Sequence, residues 1–330
     1  MKVLPERDRQ AEARAAALEA QLGEVQRELA QHRQRAGQAG PPEADLLRTL
    51  EARAAVLREE LAGLRTPWQT VALARHPQRP KAHEFLAALV DDFTELHGDR
   101  AFRDDPALTC GLGWFEGRPV AAVAPHKGRD TRENLAHNFG MPYPEGYRKA
   151  LRVMKLAEKF GYPVLSFVDT PAAYPGDAAE ERGQAEAIAR NIMEMTRLRV
   201  PVVVTITGEG GSGGALAIAV GDAVLMLEHA IYTVIPPEGC AAILWHDATR
   251  AREAAGALRL VAADLLALEV VDEIVPEPAG GAHTDPPRAF DAVRAAVRRH
   301  LAALDGLPVD ELVRRRYAKY RRMGYYEERP

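Results

Sequence analysis

Three hydrophobic rhythms divide the chain into residues 1–66, 67–284 and 285–330. In the first zone apolar residues recur at alternating spacings of four and three. Leu18, Leu22, Val25 and Leu29 do so in one arm, and Leu50, Ala54, Leu57, Leu61 and Leu64 in a second. That period predicts two amphipathic helices. The Gly/Pro stretch Gly37 to Pro42 predicts a loop between them. An isolated helical hairpin has little core of its own. It is expected to dock on the rest of the chain or, as the favoured reading, to contact a partner or a second copy.

The second zone alternates strand and helix patterns. Thr109 to Phe115 and Pro119 to Ala124, joined by Glu116-Gly117-Arg118, read as a β-hairpin. Pro163 to Val168 and Pro201 to Thr207 are β-branched apolar runs, which read as buried parallel strands. A helix is expected between them from about Glu180 to Leu198, with Ala185, Ile188, Ile192 and Met195 on its apolar face. Ala223 to Leu227 and Ile231 to Ile235 give two further short strands. Repeated strand–helix–strand units predict an α/β architecture. In the third zone Asp285 is a natural N-cap with Pro286 at the first helical position. Phe290, Val293, Val297, Leu301 and Leu304 then form a helical stripe. A last helix gathers Arg314, Arg315, Arg316, Lys319, Arg321 and Arg322, with Tyr317 and Tyr320 interleaved. It reads as a solvated or interfacial basic helix, with binding of an anionic ligand or partner as the alternative.

The densest chemical signal is Gly208 to Gly214, five glycines in seven positions after an apolar strand. A short helix, Ala215 to Val220, is expected to follow. Glycine leaves no Cβ to block a ligand, and a helix start offers free N–H groups to a negative oxygen. Several motifs overlap here. Gly208, Gly210 and Gly213 spell the dinucleotide fingerprint, with Glu228 near the acidic position, but the next strand follows too soon for a full crossover helix. Gly210, Ser212 and Gly214 spell a nucleophile elbow, for which Asp222, His229, Asp247 and His283 supply possible partners. No Lys-Ser/Thr pair closes a phosphate-binding P-loop. A tight turn that needs glycine only for packing is the plainest alternative.

Composition narrows the classes. Apolar residues at 47% and charged residues at 27% suit an ordinary globular protein. A net charge of −4 argues against sequence-independent binding to nucleic acid or anionic membrane. Cys110 and Cys240 form no CxxC pair, so this chain alone builds no zinc ribbon. Sparse cysteine suits a reducing cytoplasm. The charged amino end lacks the apolar core of a signal peptide, and no apolar run is long enough to span a bilayer.

Seven strings stand in order along the chain: Ala74-RHPQRP-Lys81, His126-KGRDT-Arg132, Asn138-FGMPYPEGYRKALR-Val153, Ala179-EERGQAEAIARN-Ile192, Gly208-EGGSGGALAI-Ala219, Pro237-EGCAAILW-His246 and Ile274-VPEPAGGAH-Thr284. Together they resemble the alpha subunit of the bacterial acetyl-CoA carboxylase carboxyltransferase, over roughly residues 67 to 325. The resemblance implies a crotonase (ClpP-like) β-β-α superhelix rather than a nucleotide-binding sheet. It implies transfer of a carboxyl group from carboxybiotin, borne by a biotin carboxyl carrier protein, to acetyl-CoA, giving malonyl-CoA for fatty acid synthesis. A beta subunit is implied to complete the site with most of the CoA contacts and a zinc ribbon. Two alpha and two beta subunits would form the core, with biotin carboxylase in the larger complex.

The implied chemistry creates two oxyanions, on the biotin ureido oxygen and on the thioester oxygen. Fixed backbone N–H groups stabilise such charge selectively in the transition state. By resemblance Gly213 and Gly214 present them to the ureido oxygen, Gly210 and Gly211 shape the approach, and Ser212 is only a small turn residue. The released biotin nitrogen serves as base, so no side-chain base is implied. Ala172 and Ala173, in the loop Asp169-TPAAYP-Gly176, form the adjoining wall. Ala172 stands where the family has glycine, and a positive φ there would cost roughly 1 kcal/mol. Lys127 and Arg129 are candidates for CoA phosphates or the transferred carboxylate, and equally for internal ion pairs with Asp130 or a neighbouring acid. His126 and His137 read as structural. Two other readings stay open: a stand-alone crotonase-type acyl-CoA enzyme or serine hydrolase using Ser212, and a non-catalytic assembly subunit.

Overall fold

The computed structural model describes residues 6–35 and 41–324. Helices α1 (Glu6–Arg35) and α2 (Pro41–Leu64) pack through Leu18, Leu22, Val25 and Leu29 against Leu50, Ala54, Leu57 and Leu61, all buried. Of the loop expected at Gly37 to Pro42, residues 37–40 lie outside the described residues, and Pro41 and Pro42 open α2. Proline is free there because the first helical N–H groups have no intrahelical partner. The hairpin docks on the segment around Glu277. The Gln26 amide donates to the Glu277 carbonyl (3.5 Å) and accepts the Ala279 N–H (3.1 Å).

Thr66 and Gln69 form a capping box at α3 (Pro67–Ala74), which is followed by α4 (Ala82–Leu89). Strands β1 (Asp91–Glu95), β2 (Leu108–Phe115) and β3 (Arg118–Pro125) form an antiparallel meander. The chain then runs through α5 (Thr131–Ala136) and α6 (Pro144–Phe160) into β4 (Val164–Thr170). The single helix expected from Glu180 to Leu198 is two helices, α7 (Asp177–Glu181) and α8 (Gln184–Arg197). Gly183, at φ +83°, turns the chain between them. Ala185 is exposed, and the buried positions of α8 are Ala187, Asn191 and Met195. Asn191 donates there to the Tyr147 carbonyl at 3.0 Å, while its buried Oδ1 has no hydrogen-bond partner.

β5 (Val202–Gly211) leads into α9 (Ser212–Leu216). Then follow β6 (Ala223–Leu227), β7 (Ile231–Thr233), α10 (Pro237–Trp245), α11 (Ala251–Ala257), α12 (Ala262–Ala267) and β8 (Glu273–Val275). The strand order is β1-β2-β3-β4-β5-β6-β8, parallel from β3 onward. β5 is shared: residues 203–206 pair with β6, and residues 209–211 pair with β7. Every residue of β4 and β5 is buried, as expected for a parallel sheet covered on both faces.

α13 (Pro286–Leu304) starts on the Asp285 cap, which accepts the Arg288 N–H. α14 (Val309–Arg322) is not a uniformly solvated basic helix. The Arg316 side chain is fully buried. It grips Asp222 (2.9 and 2.6 Å) and the carbonyls of Met195, Leu198 and Val200. Lys319 pairs with Asp272, while Arg314 and Arg315 pair with Glu311.

Candidate active site

The glycine run is strand, not loop. β5 stays extended through Gly208-Glu209-Gly210-Gly211, because Gly210 faces Thr170 of β4 on one side and Tyr232 of β7 on the other. The helix begins at Ser212, earlier than Ala215, and Ser212 itself sits at φ +51°. The strand thus turns into a helix within one residue, in a left-handed conformation that costs roughly 1–2 kcal/mol for a non-glycine residue.

Two glycines of this corner are fixed by close approach. A Cβ on Gly211 would stand 1.8 Å from the Pro171 carbonyl oxygen, and one on Gly214 2.2 Å from the Ala173 nitrogen. The corner therefore packs backbone to backbone against Pro171-Ala172-Ala173. Ala172 is not among the residues with positive φ, so the strain expected for it is absent. The Thr170 hydroxyl donates to the Ala172 carbonyl at 2.7 Å and closes that turn. The Tyr147 hydroxyl donates to the Gly214 carbonyl at 3.2 Å from inside the core. Gly213 is open: a Cβ there would meet only Ile188, at 3.6 Å. Gly213 also lines a cavity of about 350 Å³, with Ser212, Leu216, Tyr232, Val234 and Leu258 among its walls. Its size and apolar character are those of a small-molecule site.

An ion network, largely buried at Lys127, Asp169 and Glu209 and open to solvent at Glu238, braces the strand behind the corner. Lys127 lies 2.7 Å from Asp169 and 3.2 Å from Glu209, and Arg75 joins Glu209 (2.7 Å) to Glu238 (2.6 Å). The Glu209 N–H also donates to Asp169 (3.1 Å). Burial disfavours the Lys127 ammonium, but the Asp169 and Glu209 carboxylates outweigh it and raise its pKa. Burial likewise opposes the Asp169 carboxylate, yet Lys127 and Lys81 hold its pKa below the usual value. Both groups stay charged. Arg129 lies apart from them, clamped on Glu84 (2.7 Å) and the Pro77 carbonyl (3.1 Å). Asp130 pairs with neither cation; it caps α5 by accepting the Glu133 N–H.

His83, His126 and His137 stack in sequence, with centroids 3.9 and 3.7 Å apart. Burial, with His83 and His137 on either side, pushes the His126 pKa down to about 3. His137 Nδ1 donates to the Pro106 carbonyl. His126, in the middle of the stack, is therefore neutral at neutral pH.

The motif alternatives fail on geometry. Asp222 accepts the Val202 N–H at the start of β5, while Ser212 follows its end, so some ten residues of strand put them about 30 Å apart. His229 is held by Arg65, Asp247 caps Thr249, and His283 stacks on His76. None of these four bonds to Ser212. For the dinucleotide reading, α9 has only five residues and Glu228 accepts the Glu277 N–H. Among the described residues no group of His, Cys, Asp or Glu is arranged to hold a metal ion.

Sequence reasoning missed Arg75, Asp169 and Glu209. A charged residue inside a glycine run and an acid ending an apolar strand were the available signals. It also missed the pair of Arg79 with Glu277 (2.6 and 3.0 Å), whose side chains are buried.

The mixed sheet and its helices make a crotonase-type α/β fold. Two solved structures share it. Transcarboxylase 12S superposes with a TM-score of 0.52 at 20% identity, over 66% of this chain and 42% of that one. A Pseudomonas malonate decarboxylase hetero-tetramer gives 0.53 at 19% identity, over 66% and 90%. This chain thus spans less than half of the transcarboxylase chain. A family model described as acetyl co-enzyme A carboxylase carboxyltransferase-like matches residues 15–324. Acetyl-coenzyme A carboxylase carboxyl transferase subunit alpha of Thermus thermophilus is 58% identical over 282 residues, 86% of this chain and 90% of that protein. Its Geobacter sulfurreducens counterpart is 56% identical over 272 residues, 82% and 85%. The chain belongs to the acetyl-CoA carboxylase carboxyltransferase alpha-subunit family.

Proposed function

We propose that this chain supplies the biotin-side half of a carboxyltransferase site that makes malonyl-CoA from acetyl-CoA. Carboxybiotin on a biotin carboxyl carrier protein supplies the carboxyl group. The observation that carries the reading is the β5–α9 corner. The Gly213 and Gly214 N–H groups belong to the first turn of α9, where no intrahelical acceptor exists. They are aimed by a backbone whose position Pro171 to Ala173 dictates. Such donors bind an oxyanion at no reorganisation cost, which is what the ureido oxygen requires. Gly210 and Gly211 keep the strand thin on the approach, and Ala172 and Ala173 form its wall. Lys127 acts through Asp169 and Glu209, holding β4 and β5 in register. A substrate contact by Lys127 or Arg129 requires each to leave its present carboxylates.

A beta subunit is the proposed partner for the other half. Val234 at the cavity and Ile243 and Leu244 on α10 are 74, 67 and 64% exposed, and uncovered apolar side chains beside a site favour a protein partner. Two alpha and two beta subunits, with biotin carboxylase in the wider assembly, a cytoplasmic setting and an interaction role for residues 1–66 complete the proposal. No helix among the described residues is long and apolar enough to cross a membrane.

The test is biotin dependence. The chain mixed with a beta subunit is given malonyl-CoA with and without free biotin, and acetyl-CoA release is followed. Release that requires biotin is expected. Release that is indifferent to biotin contradicts the carboxyltransferase assignment.

A further inference from the structure

Helix α9 is only five residues long, too short to hold its own geometry. The two N–H groups that could reach the Gly214 carbonyl along the chain go elsewhere. Ala217 donates to the Gly213 carbonyl at 2.9 Å, and Ile218 donates to that of Ala215 at 3.1 Å. The Gly214 carbonyl is satisfied from another element, by the Tyr147 hydroxyl of α6 at 3.2 Å.

Tyr147 is fully buried in the main core. Burial raises its phenol pKa well above the usual value, so the hydroxyl keeps its proton and remains a donor. Its own carbonyl accepts the Asn191 amide at 3.0 Å, which ties its backbone to α8. Ile188 of α8 is the side chain that a Cβ on Gly213 would meet. Helices α6 and α8 thus make a fixed bed for α9. The bed matters because Gly213 and Gly214 are adjacent glycines, the residues with the widest choice of φ and ψ. A peptide unit is planar, so a bond to the Gly214 carbonyl fixes the rotation of the whole Gly214–Ala215 plane.

We propose that Tyr147 is a positioning residue for carboxyl transfer: its hydroxyl, by holding the Gly214 carbonyl, keeps the Gly213 and Gly214 N–H groups aimed at the oxyanion. The inference rests on the corner reading above and extends it to a residue that touches no substrate.

The test is the kinetics of biotin-dependent acetyl-CoA release from malonyl-CoA, with a beta subunit present and urea unfolding measured in parallel. Tyr147→Phe keeps the ring in the core and removes only the donor. It is expected to lower kcat about tenfold, on the order of one buried hydrogen bond, with KM for malonyl-CoA unchanged. Ser166→Ala is the control for plain loss of stability. It removes another buried hydroxyl bond, to the Ile218 carbonyl at 2.6 Å, two residues past the end of α9. Both variants are expected to unfold at lower urea, but Ser166→Ala should keep kcat within about twofold of wild type. Adding Tyr147→Phe to Gly214→Ala should lower kcat by no more than about twofold further, because the donors are already displaced. Wild-type kcat in Tyr147→Phe, beside a damaged Gly214→Ala, would overturn the positioning role and leave the corner standing. Wild-type kcat in Gly214→Ala would overturn the corner and the proposal with it. Equal losses of kcat in Tyr147→Phe and Ser166→Ala, or the full further loss in the double variant, would also overturn the proposal.

Discussion

Replacing Gly214 by alanine probes the corner most sharply. The new Cβ would stand 2.2 Å from the Ala173 nitrogen, 2.4 Å from the Ala172 carbonyl carbon and 2.9 Å from its oxygen. Non-bonded carbon contacts settle near 3.5 Å, so the two backbones must part by roughly 1 Å. No rotamer relieves this, since every atom struck is main chain. Overpacking of this kind costs about 1–3 kcal/mol of stability. The same shift takes an N–H out of reach of the oxyanion, and losing one such donor costs about 3–4 kcal/mol, or 10²–10³ in kcat. Gly213→Ala is the control, because its Cβ meets only Ile188 at an ordinary 3.6 Å. It is expected to change stability by no more than about 0.5 kcal/mol. The assay is kcat for the biotin-dependent reverse reaction with a beta subunit, with urea unfolding in parallel. Wild-type kcat and stability in Gly214→Ala would refute the reasoning.

Ser212→Ala is expected to keep kcat within a few-fold of wild type, and Ser212→Gly to stabilise the chain by up to about 1 kcal/mol by removing the strain at φ +51°. A collapse of kcat in Ser212→Ala would restore the nucleophile. Arg79→Met leaves the buried Glu277 carboxylate unpaired and is expected to cost about 3–5 kcal/mol in urea unfolding. Adding Glu277→Gln should recover part of that loss, and no recovery would count against the pairing as its source. His126 titrates near 3 when folded and near 6.5 when unfolded, so the unfolded chain binds the proton first. Stability therefore falls as pH drops from about 6.5 towards 3. His126→Asn should flatten that slope in unfolding midpoints taken across the range, and parallel slopes would contradict the assignment.

Local signals were legible in the sequence where one element decides its own state. The apolar runs gave β4, β5 and β6 because a doubly covered strand needs apolar residues nearly throughout. The hairpin leucines gave α1 and α2, and Asp285-Pro286 marked the start of α13. Glycine misled at both ends of its use. In 208–211 it reads as loop, yet pairing with β4 and β7 keeps it extended. At Gly183 it splits a helix that periodicity alone made continuous. What escaped were long-range pairs. Arg316 looks like one cation among many until Asp222, 94 residues away, is placed beside it, and Arg79 meets Glu277 across 198 residues. The glycines proposed for the site were named by resemblance, and the reason that Gly211 and Gly214 are glycine lies in the approach of Pro171 to Ala173, which no single segment contains. The carboxylates around Lys127 were beyond reach for the same cause.

The central claim is that this chain holds half of a shared carboxyltransferase site. It is tested most directly by assaying biotin-dependent acetyl-CoA release from malonyl-CoA with this chain alone, a beta subunit alone, and the two together. Activity only in the mixture, lost when the mixture carries Gly214→Ala, is the predicted result. Full activity from this chain alone would contradict it.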